Sequence, residues 1–241
     1  MNETQAVETL TPKKVNFVGA FSGDYVTNES YKVLRANIFF SGMDFKVIAI
    51  TSCNENEGKS TISTKLSSSI AEYGLKTLLI DGDMRKSVML KGESGSSVKG
   101  LSDVLAGIEN VEDCIYKTQN ENFDVLFSGR FPPNPVELIG NNNFKKLVEK
   151  LRPKYDYIII DTPPLGLVID AAVIASSCDG AIIAISSGNN SKKTVIDVKE
   201  QLTKSGCKII GAVLNNTKKN KNSSYKKYKS AYYYKKKDKK Q

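Results

Sequence analysis

The chain has no histidine and no tryptophan in its 241 residues. Without histidine the commonest metal ligand is missing, and no histidine-dependent catalytic triad can form. Its four cysteines, Cys53, Cys114, Cys178 and Cys207, are too far apart for paired-ligand zinc spacing. The simple reading is a reduced, cytosolic protein. No apolar run approaches the ~18 residues that span a bilayer. The opening stretch MNETQAVETLTPKK lacks the apolar core of a signal peptide. The body also lacks net charge. The total is +9, and Thr217–Gln241 alone holds +10, from eleven Lys against one Asp, which leaves −1 for residues 1–216. A body so near neutral argues against a nucleic-acid-binding face and no nucleic-acid partner is expected, while the basic end could still touch an anionic surface.

Hydrophobic residues make up 40% of the sequence, enough for one cored domain. Residues 1–26 read as a flexible lead, 27–216 as the folded domain and 217–241 as a disordered Lys/Tyr-rich tail. From Thr27 to about Ser41, Tyr31, Leu34 and Ile38 recur at helical steps, with Thr27 or Asn28 able to cap the start. Strands are expected at Phe45–Ser52, Thr77–Asp81, Phe123–Phe127, Tyr157–Asp161, Ala181–Ser186 and Lys208–Leu214. Helices are expected over about Lys59–Tyr73, Val136–Leu151 and Lys192–Lys204, with short ones near Leu101–Leu105 and Val111–Tyr116. Strands apolar on both faces and followed by helices imply an α/β fold: a mostly parallel central sheet with helices on both faces. Ligands bind such sheets at the C-terminal strand ends.

Cys53-Asn54-Glu55-Asn56-Glu57-Gly58-Lys59-Ser60-Thr61 lies between a strand and a helix. It matches the P-loop pattern except that Cys53 stands in the first glycine position. In such a loop the backbone amides and the helix N-terminus face phosphate, Lys59 reaches the β- and γ-phosphates, and Ser60 ligates Mg²⁺. Asn56 can take positive φ. LLIDGDMR puts Asp81 and Asp83 at one strand end with Arg85 beyond, and IIIDTPP puts Asp161 at another, where carboxylates can hold Mg²⁺ or its waters.

With these motifs on the page, the chain resembles the bacterial protein-tyrosine kinases of the capsular and exopolysaccharide type, whose membrane-spanning activator is a separate protein. The likeness spans nearly the whole chain. It rests on Glu29-x-x-Lys32-x-x-Arg35, the P-loop, LLIDGDMR, SGRFPPNPVELI (128–139), IIIDTPP with Asp170 beyond, GAVLN ending at Asn215, and the terminal tyrosines. The resemblance implies a P-loop NTPase fold like that of the partitioning ATPases. It further implies an autokinase that uses ATP and Mg²⁺ to phosphorylate its own tail tyrosines in trans, and so regulates polysaccharide synthesis and chain length. On that basis Asn56, Glu57, Gly58, Lys59, Ser60, Thr61, Arg85 and Asn215 would bind the nucleotide, Asn215 reading adenine. Ser60, Asp81, Asp83 and Asp161 would hold metal. Lys59, Asp81, Asp83 and Asp161 would be catalytic, Asp83 taking the tyrosine proton. Glu29, Lys32 and Arg35 would join copies into a ring. Implied partners are a transmembrane, polysaccharide co-polymerase-like activator and a cognate tyrosine phosphatase, with the kinase cytoplasmic and peripheral at the inner membrane face. Two departures stand out: Glu55-Asn56 replaces the family's Pro-Gly, and Lys32 replaces an arginine. The alternative, a partitioning or positioning ATPase without a protein substrate, carries a signature Lys where this chain has Asn54.

The tail holds Tyr225, Tyr228, Tyr232, Tyr233 and Tyr234 among Lys, Ser and Asn. Nothing there can form a core, and five of eleven tyrosines in such a setting are hard to explain as structure. They are the expected phosphoacceptors. Each phosphate adds roughly −1.5 to −2, so modifying all five would offset the tail's +10. A 217–241 peptide carrying five phosphotyrosines is therefore expected to bind the chain more weakly than the unmodified peptide at moderate salt. Equal affinities by fluorescence anisotropy would refute the charge switch.

Overall fold

The computed structural model describes residues 14, 15, 17, 23–41, 45–89 and 98–217. Most of the expected lead, and all of the tail beyond Thr217 with its five tyrosines, lie outside the described residues. Helix α1 (Tyr25–Phe39) starts two residues earlier than the periodicity indicates. The reason is local: Asp24, rather than Thr27 or Asn28, is the cap, its Oδ1 accepting from Thr27 N at 2.8 Å. The lead is not loose throughout either. Val15 is buried, and its N–H donates to the Lys117 carbonyl at 2.9 Å.

Seven strands form one sheet, β1 (Val47–Ser52), β2 (Thr77–Asp81), β3 (Ile115–Lys117), β4 (Phe123–Leu126), β5 (Tyr157–Asp161), β6 (Gly180–Ser186) and β7 (Lys208–Asn215). Their spatial order is β3-β4-β2-β5-β1-β6-β7, and every pairing is parallel except β3 with β4. β3 departs from the expected helix over Val111–Tyr116. That helix, α4 (Val111–Cys114), stops after four residues, and β-favouring Ile115 and Tyr116 pair with Leu126 and Val125 instead.

Alternate residues of the inner strands feed two cores. On one face, Ile48, Ile50, Leu79 and Ile159 pack under α2 (Lys59–Glu72) through Ile62, Leu66 and Ile70, with Ile38 of α1 beyond. On the other, Val47, Leu78, Ile80, Ile158 and Ile160 meet α3 (Leu101–Leu105), α5 (Pro135–Gly140), α6 (Asn143–Leu151) and α7 (Asp170–Ala175). Ala49, Ala181 and Ile183 pack with α7 and with Val198 and Leu202 of α8 (Lys192–Lys204). The single helix expected over Val136–Leu151 is two, α5 and α6, broken at Asn141 where the backbone turns extended.

Ile159 on the central strand is fully buried, whereas Leu214 on the edge strand is 61% exposed. Ile159→Ala should cost about 2–5 kcal/mol in urea unfolding. Leu214→Ala should stay within about 0.5 kcal/mol.

Candidate active site

Strand β1 ends at Ser52 and α2 begins at Lys59, and the six residues between wrap an anion cradle. Gly58 caps α2 at φ 87°, and Asn56 sits at φ 60°. No side chain caps the helix start, so its first amides remain available to an anion. A Cβ on Gly58 would lie 2.0 Å from Asn215 Nδ2, and that amide donates to the Glu57 carbonyl at 3.0 Å. Glycine is required there twice over, by φ and by space. Cys53, in the place of the motif's first glycine, is fully buried. Burial, then the nearby Glu57 carboxylate, push its thiol up to about 11, so it fills space and is no nucleophile.

Both acids of the loop are paired. Glu57 is buried and accepts from Asn54 N at 2.8 Å, from Ser186 N at 3.1 Å, and from Asn190 Nδ2. Its carboxylate ties the loop to the end of β6. Glu55 lies in an ion pair with Lys86 at 2.7 Å. The Glu55-Asn56 departure thus brings a surface pair and one left-handed residue, with no free negative charge aimed into the cradle. Asn54 bonds Asn190 within its own chain at 2.8 Å.

Register sets the acids. Asp81 and Asp161 are paired residues at the ends of β2 and β5, and β5 lies beside β1. Both are buried. Ser63 Oγ donates to Asp161 Oδ1 at 3.0 Å, and Ser87 Oγ donates to Asp81 Oδ2. Burial raises Asp81 to about 8, with the Asp161 charge adding to it. Burial raises Asp161 to about 6, against the opposing pull of the Ser60 hydroxyl and the Lys59 charge. Asp83 lies higher, in the wall of the cleft. Its Oδ1 accepts from Arg85 N at 3.1 Å and Lys86 N at 2.9 Å.

Glu55, Asn56, Gly58, Lys59, Ser60, Thr61, Asp83 and Arg85 line one cleft of about 360 Å³. Asp81 and Asp161 sit beneath, and Asn215 stands behind Gly58. Arg85 is committed to Asp170, with Nε–Oδ1 at 2.9 Å and Nη2–Oδ2 at 3.3 Å. Sequence reasoning gave Asp170 no role, although an acid opening α7 beside an arginine-bearing strand end was there to be read. Glu29 and Lys32 pair with each other at 2.7 Å on α1. Arg35 instead turns onto its own chain, reaching the Ser69 carbonyl and the Tyr73 ring. Among the described residues no three His, Cys, Asp or Glu side chains gather closely enough to hold a metal unaided. The oxygen donors present, Ser60 with Asp83 and Asp161, suit Mg²⁺, which keeps waters and phosphate oxygens as its other ligands.

Comparison with known proteins places this geometry. The AAA domain family matches residues 45–222. Tyrosine-protein kinase CpsD of Streptococcus agalactiae is 46% identical over 190 residues, covering 78% of this chain and 83% of that one. The kinase domain of Escherichia coli tyrosine kinase ETK superposes with a TM-score of 0.79 at 30% identity, covering 93% of this chain and 91% of the other. The septum site-determining protein MinD of Pyrococcus horikoshii, complexed with Mg-ADP, gives a TM-score of 0.61 at 30% identity over 73% of this chain and 72% of its own.

Asp81 and Asp161 have folded values above the unfolded one of 3.8, so the fold favours the neutral acids. As pH rises through about 6 and then about 8, the folded chain must ionise buried groups that the unfolded chain ionised near pH 4. The melting temperature of the nucleotide-free protein should therefore fall as pH rises from about 4 to about 8 and level off above, and Asp81→Asn should remove the part of the fall between about 6 and 8. A parallel decline in both proteins would contradict the assignment.

Proposed function

The chain belongs to the bacterial tyrosine-protein kinases, P-loop proteins of the AAA domain family, and on that premise we propose that it phosphorylates its own tail tyrosines, one copy acting on another. The observation that carries this is the convergence of Lys59, Ser60 and Asp83 in one cleft of a chain whose end holds five tyrosines. The cradle amides and Lys59 hold the terminal phosphates of ATP and neutralise their charge. Ser60, Asp83 and Asp161 would hold Mg²⁺, which when bound would offset negative charge on the phosphates. Ser63 keeps Asp161 oriented from below. The acceptor tyrosine oxygen attacks the γ-phosphorus, a new oxygen–phosphorus bond forms, and the bond to the bridging oxygen of the departing ADP breaks. The hydroxyl proton passes to Asp83, whose Oδ2 receives no hydrogen bond from the described residues while Oδ1 receives two. Asn215, already against the cradle backbone, is placed to meet the base.

Half-buried Glu29 and exposed Lys32, paired on α1, are the surface offered to a second copy in a ring, with Arg35 stiffening α1 against α2. Among the described residues no helix is long and apolar enough to cross a membrane. The proposal accordingly places the kinase at the inner face of the cell membrane, held by a membrane-spanning activator, opposed by a tyrosine phosphatase, and acting on capsular polysaccharide synthesis. Against a purely partitioning role stand the kinase relatives and Asn54, whose amide is engaged within its own chain.

Purified chain incubated with Mg·ATP should acquire phosphate on Tyr225, Tyr228, Tyr232, Tyr233 or Tyr234, mapped by mass spectrometry. Lys59→Met should lower the rate on the order of 100-fold or more. A Lys59→Met chain should nonetheless be phosphorylated when mixed with an active chain whose five tyrosines are phenylalanine. Hydrolysis of ATP without any phosphotyrosine would return the chain to the ATPase reading.

A further inference from the structure

Five of the fourteen residues lining the cleft are apolar and serve no purpose in holding phosphate. Val88 and Leu167 are 45% and 58% exposed, and with Pro163, Pro164 and Val168 they line the cleft that contains Lys59 and Asp83. Phosphates call for amides and cations there, not aliphatic side chains. The exposure is not a matter of a slack loop, because the turn bearing Leu167 is pinned. Thr51 Oγ1 donates to the Pro163 carbonyl at 3.0 Å, and Leu165 N donates to the Ser52 carbonyl at 2.9 Å. The N–H groups of Leu167 and Val168 both reach the Pro164 carbonyl at 3.1 Å. Gly166 lies so close to the P-loop that a Cβ would stand 2.1 Å from the Cys53 carbonyl oxygen. Leu165 fills the core at 2% exposure while Leu167, two residues on, is held out at the cleft.

The facing turn is equally fixed. Asp83 Oδ1 gathers the Arg85 and Lys86 amides, and Met89 N donates to Ser87 Oγ at 3.3 Å. The Arg85–Asp170 pair then joins the two sides, since Arg85 precedes Val88 on one turn and Asp170 follows Leu167 at the head of α7. A bidentate arginine–carboxylate pair, with its acid buried, is a stiff strut. It fixes the gap between the apolar lips.

Resting on the kinase reading, we propose that Val88 and Leu167 form a slot for the aromatic ring of the acceptor, a tail tyrosine from a second copy of this chain. A phenol has an apolar body and a polar tip. A ring between the lips leaves its hydroxyl toward Asp83 and the phosphate cradle, whereas a serine or threonine side chain has no ring to leave there. The slot thus makes the enzyme choose tyrosine. The occupant is argued from the chain itself, whose 24 residues beyond Thr217 contain five tyrosines and almost no other large apolar side chain.

The test uses full-length enzyme whose five tail tyrosines are alanine, so that its own tail offers no ring to the slot and only an added peptide of residues 224–235 can accept phosphate. Leu167→Ser should raise the KM for that peptide on the order of 10-fold, with affinity for a fluorescent ATP analogue unchanged. Leu167→Met should restore most of the loss. A peptide with phenylalanine at every tyrosine should bind the unaltered lip by fluorescence anisotropy and lose affinity by a similar factor for Leu167→Ser. That binding requires no phosphate transfer, so it reads the slot even if the kinase reading itself fails. An unchanged peptide KM and unchanged anisotropy would overturn the proposal. So would a parallel loss of ATP-analogue affinity, which would assign the lips to the nucleotide.

Discussion

Two carboxyl groups stacked at the ends of neighbouring buried strands are the constraint on which the rest of this site depends. The pairing of Asp81 with Asp161 follows from the β2–β5 register, and β5 in turn borders β1, whose last residue feeds the phosphate loop. A shift of one residue in either pairing would turn every side chain to the opposite face, and two strands this apolar could not hide an acid at the wrong end. The core therefore positions the acids, and burial favours their neutral form.

Around this fixed floor, the loops are braced by groups that take no part in holding phosphate. Glu57 ties the P-loop to the end of β6 and the loop beyond it through Ser186 and Asn190, Asn215 presses on Gly58 from β7, and Arg85 spans from the β2 end to α7. Four strand ends thus contribute to one cradle. A preorganised cradle loses little on meeting its ligand, which suits a reaction in which positioning and charge neutralisation supply most of the rate.

The sequence made the floor of the site legible and left the bracing hidden. Continuous apolar runs such as YIIID fit strands covered on both faces, and GKS after such a strand fits the start of a helix facing phosphate. Sequence spacing cannot say which way a side chain turns when both directions are sterically open. Glu57 sits one residue from the cradle glycine, and its turn inward depends on Ser186 and Asn190, more than 120 residues away. Arg85 lines the cleft, and its pairing with Asp170, 85 residues on, is a partner that spacing does not contain. Leu165 and Leu167 are the same residue type two places apart, and only the packing of Gly166 on Cys53 decides that one is core and the other rim. At α1, β3 and the α5–α6 break, local propensity yielded to a cap or a pairing partner that a periodic pattern does not contain.

Charge and apolarity divide the labour between the two parts of the chain. The folded body is nearly neutral, and the +10 segment carries the tyrosines. Attraction between that segment and a cleft filled with nucleotide phosphate is long-ranged and indifferent to residue order, so it can gather the tail but cannot choose a hydroxyl. Selection must come from short-range contact. The apolar lips beside Asp83 are the part of the cleft able to tell a phenol from the serines and lysines around it, because an aliphatic wall gains from a ring and loses from an ammonium group. Once phosphorylated, a tyrosine brings negative charge to a slot built from Val88, Leu167 and two prolines, next to a carboxylate. Product and site then repel, and the same chemistry that admits the acceptor releases it.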